Sequence, residues 1–280
     1  MRLSLLTKAG QGLIQRLTTP EAIAVEFFEG TKNVGDQLNP YMLPKITGWP
    51  IYRASSSLVP HLRAIGSLIG SATFMSTIWG AGSIDGVAPR HRINPSRVHA
   101  LRGAGTFALL DRLYGIDRTI PLGDPALLMP RYFNPMVERR YDVAVIPHFS
   151  ETEAAANIVA QSRTPMLRVL DVRSDPEAFV TQLCECRAVL SSSLHGLILA
   201  DAYEVPNVWV SFGGRLLGGE WKFYDYYSVT DAAAPARVDA STPAALDALV
   251  ESHGALAKVH RYMYSTDDLL AAFPGHLIKV

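Results

Sequence analysis

The sequence predicts an α/β protein built from two Rossmann-like, doubly wound lobes that face each other across a cleft. Short apolar runs alternate with helical patterns along the whole chain of 280 residues, which is typical of parallel sheets flanked by helices. The alternation restarts after a segment rich in proline and arginine at residues 129–142. Hydrophobic residues make up 48% and charged residues 19% of the chain, a composition that excludes a disordered protein.

The first lobe is predicted over residues 21–135. Its first strand is expected over Ala22–Phe28 and its first helix over Val34–Ile46, with Asn33 or Asp36 as the helix cap. The remaining predicted elements of this lobe are strands near Ala64–Ile69, Thr77–Gly80 and Val98–Arg102, a helix over Gly105–Tyr114 and a turn at Leu122–Pro125.

The second lobe is predicted over residues 136–280, after the proline- and arginine-rich linker. Ligands of doubly wound sheets bind beyond the carboxyl ends of the strands, so the loops at those ends are where chemistry is expected. The predicted strands are Asp142–Pro147, Met166–Leu170, Ala188–Ser192 and Asn207–Val210, and the predicted helices are Glu151–Gln161, Asp175–Cys184, Leu194–Tyr203 and Thr242–Val259.

Charge, cysteine content and hydropathy exclude several classes of function. The chain has 26 basic and 26 acidic residues, and this balance argues against nucleic acid as the main partner. Cys184 and Cys186 are too close for an unstrained disulfide and too few for a zinc site. The longest uncharged run, Ala64–Ile84, has ten Gly, Ser or Thr among its 21 residues, so no membrane-spanning helix is predicted.

The N-terminal segment, residues 1–20, has a different character. It carries Arg2, Lys8 and Arg16 and no acidic residue, and its leucines fall roughly on one face of a helix. It lacks the apolar core of a signal peptide. Two interpretations remain open: an interfacial helix on anionic lipid, or a helix docked on the surface of the protein itself.

The segment around His195 is the most informative for chemistry. A buried strand ends in Ser191, Ser192 and Ser193, and a helix then begins at Leu194 with His195 in its first turn. The amides of a helix N-terminus attract an anion, and a histidine there can bind a phosphate or move a proton near neutral pH. The alternative is a capped helix with a partly buried histidine. No G-x-S-x-G element supports a serine hydrolase.

Asp36 is a second candidate, because it lies between the end of a strand and the start of a helix. Its carboxylate can accept a proton from a substrate hydroxyl, or it can simply cap the helix. Gly80 and Gly82 follow another strand and allow the backbone to approach a ligand closely. Their spacing is not that of a dinucleotide fingerprint.

Three further positions lie where strands end. Arg102 and His148 each follow a predicted strand, which places both on the cleft side. An aromatic run at residues 221–227, which includes Lys222 and Asp225, predicts either a surface that stacks on a sugar ring or a packed surface loop.

Taken in order, these segments resemble the polysaccharide pyruvyl transferase family. The resemblance is closest to its exopolysaccharide branch, the ketal pyruvate transferases of xanthan and succinoglycan assembly. The S-S-x-L-H-G element is the most specific of the shared motifs. These motifs are N-x-G-D at Asn33–Asp36, W-G-x-G at Trp79–Gly82, L-R-G at Leu101–Gly103, G-D-P at Gly123–Pro125, P-H-F at Pro147–Phe149, S-S-S-L-H-G-L-I at Ser191–Ile198, K-x-x-D-Y-Y at Lys222–Tyr227 and L-L-A-A-F-P at Leu269–Pro274.

The resemblance implies a glycosyltransferase B-like fold with phosphoenolpyruvate as the donor substrate. The acceptor is expected to be a pair of sugar hydroxyls in an undecaprenyl-diphosphate-linked oligosaccharide, and the products a cyclic pyruvate ketal and phosphate. No cofactor and no metal are expected. A bacterial protein that is cytoplasmic and peripheral at the inner face of the plasma membrane would fit this chemistry, with the membrane surface as a partner and no nucleic acid.

The resemblance also implies roles for individual residues. His195 is expected to be the catalytic acid or a phosphate contact, and Asp36 or Asp225 the base. Many members of the family carry arginine where this chain has Ser193, so Arg102, Lys222 and His148 are the candidates to supply the missing positive charge. The expected donor-binding residues are Arg102, Ser192, Ser193, Leu194, His148 and Lys222, and the expected acceptor-binding residues are Tyr224, Tyr226 and Tyr227.

These residue types suit ketal formation, which needs an acid near the methylene carbon, cations on the phosphate and carboxylate, and a base near the sugar hydroxyl. The sequence has no His/Cys/Asp cluster with metal-ligand spacing, so turnover without a metal is expected. Two other functions remain open: a nucleotide-sugar glycosyltransferase on the same fold, and an inactive scaffold of an assembly complex. The presence of Asp36, Arg102 and His195 argues against the scaffold.

Overall fold

Two five-stranded parallel sheets, one in each half of the chain, organise the protein. The computed structural model describes residues 10, 14, 17, 21–54, 57–214, 218–232, 235–252 and 257–279. The predicted α/β class with parallel sheets in both halves is therefore confirmed, while the glycosyltransferase B-like arrangement of the lobes stays a prediction.

The first sheet has the strand order β2-β1-β3-β4-β5. Its two long helices follow strands, α1 after β1 and α2 after β5. The strands are β1 Ile23–Val25, β2 Ile51–Arg53, β3 His61–Arg63, β4 Ser76–Trp79 and β5 Val98–Ala100, and the helices are α1 Val34–Thr47 and α2 Ala104–Tyr114.

The second sheet has the order β10-β9-β8-β6-β7. Counted along the chain within each half, both sheets thus repeat one order, with the first strand between the second and the third. The strands are β6 Tyr141–Ile146, β7 Leu167–Val169, β8 Cys186–Ser191, β9 Asn207–Ser211 and β10 Val238–Asp239, and the helices are α3 Thr152–Gln161, α4 Pro176–Cys184, α5 Leu194–Ala202, α6 Trp221–Tyr227, α7 Pro243–Glu251 and α8 Thr266–Ala271.

Helix α1 shows how local sequence sets an element. The side chain of Asn33 accepts a hydrogen bond from the Gly35 amide at 3.2 Å, and Gly48 ends the helix with φ of 73°. A left-handed residue at this position is favourable for glycine, which has no Cβ to clash. Asn33 is therefore the cap, and the alternative that Asp36 serves as the cap is wrong.

Three predicted elements differ from the structure. The strand expected near Ala64–Ile69 is instead β3, which ends at Arg63, and the chain then turns through Gly66 with φ of 123°. The closing helix stops at Glu251, and Lys258 instead forms an antiparallel bridge with Asn207. The aromatic run is helix α6, because its buried side chains recur at helical spacing.

One hydrophobic cluster joins the two halves of the chain. It includes Val25 and Leu38 of the first half together with Ile146 and Leu197 of the second. The chain also returns to the first half near its end, where the Trp79 indole N–H donates to the carbonyl of residue 269 at 2.8 Å. The predicted division between residues 135 and 136 stays a prediction.

The remaining expectations concern the termini, the thiols and the membrane. Within residues 1–20 only Gly10, Ile14 and Leu17 are described, so the predicted amphipathic segment lies outside the described residues. Both cysteines are free, and burial raises the pKa of Cys184 to about 11 and that of Cys186 to about 12. Among the described residues, every helix is too short or too polar to cross a membrane.

Candidate active site

The strand order of both sheets marks the place where a ligand is expected. In each sheet the second strand lies on one side of the first and the third strand on the other, so the strand order reverses between them. Ligands of such sheets bind outside the carboxyl ends of the first and third strands. In the first sheet this point lies where β1 and β3 end, and in the second where β6 and β8 end. The predicted residues Asp36, His148 and Ser192–His195 all lie in the segments that follow these strands.

Motifs that are far apart in sequence meet in this region. The backbone of Gly35 lies against the His195 imidazole so closely that a Cβ at residue 35 would be 2.1 Å from Nδ1. Gly82 lies against Arg102 in the same way, with 2.2 Å between an added Cβ and Cζ. Side chains at these two positions would displace the groups that they face, so the glycines are required by close approach.

His195 occupies the first turn of α5, as the sequence predicts. Its side chain keeps 10% of its surface exposed, and its Nε2 lies 3.6 Å from Oδ2 of the fully buried Asp124. Neither of these two atoms has a hydrogen-bond partner. Buried polar atoms are nearly always hydrogen-bonded in folded proteins, so this pair is unusual and needs an explanation from function.

Asp36 lies within electrostatic range of His195. Burial raises the pKa of Asp36 to about 6, against the opposing effects of the His195 charge and a hydrogen bond from the Phe28 amide. An added Cβ on Gly66 would be 3.6 Å from Oδ1 of Asp36, so the carboxyl group lies over the loop that follows β3. A carboxyl group with a pKa near neutrality can both accept and release a proton under physiological conditions.

The three serines before α5 do different work. The Ser191 hydroxyl donates to the carbonyls of Ile146 and Ser193, and the Ser192 hydroxyl accepts from the His148 amide at 2.9 Å. Ser193 is the N-cap residue, but its side chain makes no cap hydrogen bond. The side-chain cap that the alternative interpretation requires is therefore not formed, and the first amides of α5 remain available to an anion.

Leu194 faces the core and is 5% exposed. This position favours a role in fixing the start of α5, because its side chain belongs to the cluster that joins the two halves.

Basic side chains lie close together beside the start of α5. Burial and the positive charge of Lys222 lower the pKa of His148 to about 4, and its Nδ1 lies 2.7 Å from the Ser150 hydroxyl. Burial and the charge of Arg102 lower the pKa of Lys222 to about 8. Lys222 thus lies within electrostatic range of both Arg102 and His148, and its charge favours an anionic ligand. His148 is neutral near pH 7 because its pKa is about 4, so the expectation that it supplies positive charge is wrong.

Arg102 and Asp225 are engaged with each other. Both side chains are fully buried, and Nη2 of Arg102 lies 2.9 Å from Oδ2 of Asp225. Arg102 also donates to Ser67 and to the carbonyl of Ser83, while Asp225 accepts from the amide and hydroxyl of Thr106, both at 2.7 Å. Asp225 is therefore not accessible to a substrate, and the expectation that it acts as the base is wrong in this structure. Arg102 lies below the surface of the site and stabilises it through this ion pair.

The aromatic residues of α6 are mostly internal. Tyr226 has no exposed surface and Tyr227 is 3% exposed, so the expectation that their rings are open to a sugar is wrong. The Tyr226 hydroxyl donates to Asp201 at 2.8 Å. Tyr224 alone of the three tyrosines is open, with 46% of its surface exposed, and its ring packs edge-on against Trp209.

Sequence reasoning missed two buried acids. Asp124 belongs to the G-D-P motif, which gave a signal that was not assigned a role. Glu151 is 1% exposed and accepts from the Gly214 amide at 2.8 Å, while its Oε2 has no hydrogen-bond partner. Nothing in the sequence around Glu151 distinguishes it from an ordinary acid in the first turn of a helix.

Two further features of the described residues were potential sites and lack the properties of a catalytic centre. No group of three or more His, Cys, Asp or Glu side chains in the described part of the chain could hold a metal ion. A surface depression of about 380 Å³ lies among Arg163, Thr164 and Asp247. The Asp247 carboxylate there is occupied by hydrogen bonds from residues 162–164, so it does not serve a ligand.

Comparison with known proteins agrees with the motifs. Residues 90–213 match the family model of polysaccharide pyruvyl transferase, which confirms the predicted family resemblance. The chain is also 27% identical over 219 residues to an uncharacterized protein of Acanthamoeba polyphaga mimivirus, with 76% of each chain covered. The family match supports a transferase that moves a pyruvyl group onto polysaccharide. The exopolysaccharide branch and a bacterial origin stay predictions.

Proposed function

We propose that this protein transfers the pyruvyl group of phosphoenolpyruvate to two hydroxyls of one sugar in a polysaccharide repeat unit. The products are a cyclic pyruvate ketal and phosphate. One observation carries the proposal: His195, the raised-pKa carboxyl group of Asp36 and the uncapped N-terminus of α5 meet at one point. An acid, a base and an anion site are the three elements that ketal formation needs.

The donor carries a phosphate and a carboxylate, and the basic side of the site suits both. The first amides of α5 have no capping side chain, and the dipole of the helix favours an anion at this end. Lys222 adds positive charge beside these amides, whereas His148, whose pKa is lowered to about 4, is neutral near pH 7 and offers an uncharged ring nitrogen. Arg102 does not reach the donor, because its side chain is completely buried and its charge is neutralised by Asp225.

The reaction begins at the methylene carbon of phosphoenolpyruvate. His195 gives a proton to this carbon, a C–H bond forms, and positive charge develops at C2. The first sugar oxygen bonds to C2 and loses its proton to Asp36. The C2–O bond to phosphate then breaks with its electron pair on the phosphate oxygen, and the second hydroxyl closes the ring while its proton passes to phosphate. Asp36 returns one proton to His195, so the protons balance.

Asp36 suits the role of base better than Asp225. Its pKa of about 6 is close to the pH at which it must accept and release a proton. Both oxygens of Asp225 instead accept hydrogen bonds inside a buried ion pair. A base must reach the proton that it removes, and Asp225 has no exposed atom with which to do so.

The direct test is incubation of the purified protein with phosphoenolpyruvate and candidate lipid-linked oligosaccharides. Pyruvyl transfer is measured by mass spectrometry and phosphate release by a colorimetric assay. A thermal-shift series with phosphoenolpyruvate and with sugar nucleotides separates the alternatives. Protection by a sugar nucleotide alone would indicate a glycosyltransferase, and neither protection nor turnover would indicate a scaffold.

Three finer points belong to the same proposal. The acceptor is lipid-linked, the lobes adopt a glycosyltransferase B-like arrangement, and residues 1–20 bind the inner face of the plasma membrane. Three cations at about 1 kcal/mol each near an anionic surface, with a few buried leucines, suffice for reversible binding. Deleting residues 1–18 should lower binding to anionic vesicles and leave turnover of a soluble acceptor analogue intact. Because no metal is expected to take part in the reaction, pyruvyl transfer should also continue in the presence of a metal chelator.

A further inference from the structure

Asp124 is a buried acid that the proposed chemistry has not yet used. It is the cap of a short 3-10 helix over Pro125–Arg131, and its Oδ1 accepts from the Ala126 amide at 3.0 Å. The side chain has no exposed surface. Its second oxygen, Oδ2, has no hydrogen-bond partner.

The cap itself does not need a carboxylate. The same turn occurs at Asn94, which also precedes a proline and caps a 3-10 helix, over Pro95–Arg97. There the side-chain oxygen of an asparagine accepts from the Ser96 amide at 3.1 Å. An uncharged amide therefore suffices for this turn, and burying a charged group instead is costly unless the charge has another use.

The carboxylate oxygen of Asp124 that takes no part in the cap faces His195. Oδ2 of Asp124 lies 3.6 Å from Nε2, and Nε2 is likewise buried without a partner. Two other groups belong to the same surroundings. Asp36 on α1 acts on His195 electrostatically, and the Tyr226 hydroxyl on α6, which lies near Asp124, donates to Asp201 instead.

We propose that Asp124 is a positioning residue that holds the His195 imidazole through Nε2 and stabilises its protonated form during pyruvyl transfer. This inference rests on the proposed function. It assigns the two ring nitrogens different tasks: Nε2 is anchored, and Nδ1, the ring nitrogen nearest to Gly35, exchanges the proton with the methylene carbon and with Asp36. A carboxylate behind an imidazole fixes its orientation and tautomer and favours the charge that it develops.

The decisive variant is Asp124→Asn, because an asparagine keeps the cap, as Asn94 shows. We expect kcat to fall roughly 10- to 100-fold while the KM for phosphoenolpyruvate changes less than about threefold and Tm changes little. The pH above which kcat falls should move lower, since the carboxylate that favours the imidazolium is gone. The matched control is Asp117→Asn, an exposed acid that accepts from the Thr119 amide, and it should leave all of these values unchanged.

Two further measurements test whether Asp124 acts through His195. In a His195→Ala background, Asp124→Asn should cost no additional activity if Asp124 acts through His195. Spectra of ¹⁵N-labelled histidine should show neutral His195 protonated on Nε2 in the unmodified protein, and a changed tautomer ratio in Asp124→Asn. Proton placement on Nδ1, unchanged kcat in Asp124→Asn, or additive losses in the double variant would each overturn the proposal.

The spectra also separate this inference from the proposed function. They need no substrate, so an Nε2–H tautomer that depends on Asp124 would stand even if the protein transferred no pyruvyl group. If pyruvyl transfer occurs and the tautomer does not depend on Asp124, the proposed function stands and the positioning role fails.

Discussion

Two buried charged groups in this protein differ in how completely their polar atoms are satisfied. In the pair of Arg102 and Asp225, both carboxylate oxygens accept hydrogen bonds, and the guanidinium donates to three different partners. In the group of His195, Asp124 and Asp36, Nε2 and Oδ2 face each other without a hydrogen bond.

The difference distinguishes an ion pair that stabilises the fold from a group of residues that forms the candidate site. A buried ion pair with every atom satisfied ties together the elements that carry it, here the loop before α2 and helix α6. Buried polar atoms without partners cost stability, and proteins retain them mainly where a ligand or a reaction step makes use of them. We therefore expect substitutions in the first group to act on folding and substitutions in the second to act on rate.

The largest effect is expected for Arg102→Met. It leaves Asp225 charged and buried without a counter-charge, so the free energy of unfolding should fall by about 3–5 kcal/mol, measured by urea denaturation. The double variant Arg102→Met/Asp225→Asn removes both charges and should recover part of this loss. Unchanged stability with a raised KM for phosphoenolpyruvate would instead make Arg102 a direct donor contact.

His195→Ala should act on rate. Loss of the acid should lower kcat on the order of 10²-fold or more, while urea denaturation shows a folded protein. His195→Gln should retain more activity if the role is hydrogen bonding and little if it is proton transfer. The control is His91→Ala at an exposed position. If both His195 variants lost Tm and kept their activity per folded molecule, His195 would be only a core residue.

The Asp36→Asn variant should change stability and activity in opposite directions, and its effect on stability should depend on pH. Because the folded-state pKa of Asp36 is about 6 and thus above its usual value near 4, the folded state binds more protons between these pH values. Stability contributed by this group therefore falls as the pH rises through that window. The variant should be more stable than the unmodified protein above pH 6 by on the order of 3 kcal/mol, equal to it below about pH 4, and nearly inactive. A loss of stability at pH 8 would contradict this.

The smallest effect is expected for Tyr224→Ala, which removes the one open ring of the three tyrosines. A ring that stacks on a sugar contributes on the order of 1 kcal/mol, so the acceptor KM should rise severalfold while the donor KM stays unchanged and Tm falls slightly through the lost contact with Trp209. Tyr264→Ala, at a similarly exposed position, is the matched control. Equal changes in both variants would remove Tyr224 from the acceptor site.

Local sequence predicted the longer elements well. The helices that begin at Val34 and Leu194 and the strand that ends at Ser191 lie within two residues of their predicted bounds. Caps and apolar periodicity act over a few residues, and these elements carry both. The strand misplaced to Ala64–Ile69 is only three residues long in the structure, so its boundaries depend on pairing with distant strands rather than on its own pattern.

In the candidate site, too, local sequence predicted some features and missed others. The sequence places His195 in the first turn of a helix and Asp36 between a strand and a helix, since both positions follow from neighbouring residues. It could not show that Asp225 pairs with Arg102, because the two are 123 positions apart. Nor could it show that Tyr224 is exposed and Tyr226 buried. Which side of a helix faces solvent depends on the elements that pack against that helix.

By itself, the sequence determined the α/β class, the repeated strand pattern and the candidate residues for acid, base and anion-binding chemistry. Only the tertiary structure decided which of these residues lie together, which charges neutralise each other and which polar atoms stay without partners. The reason is physical: propensity and capping are local, whereas burial and charge pairing arise only when distant segments come into contact. Asp124 depends on both, because its local sequence makes it a cap and only the fold places His195 beside its second oxygen.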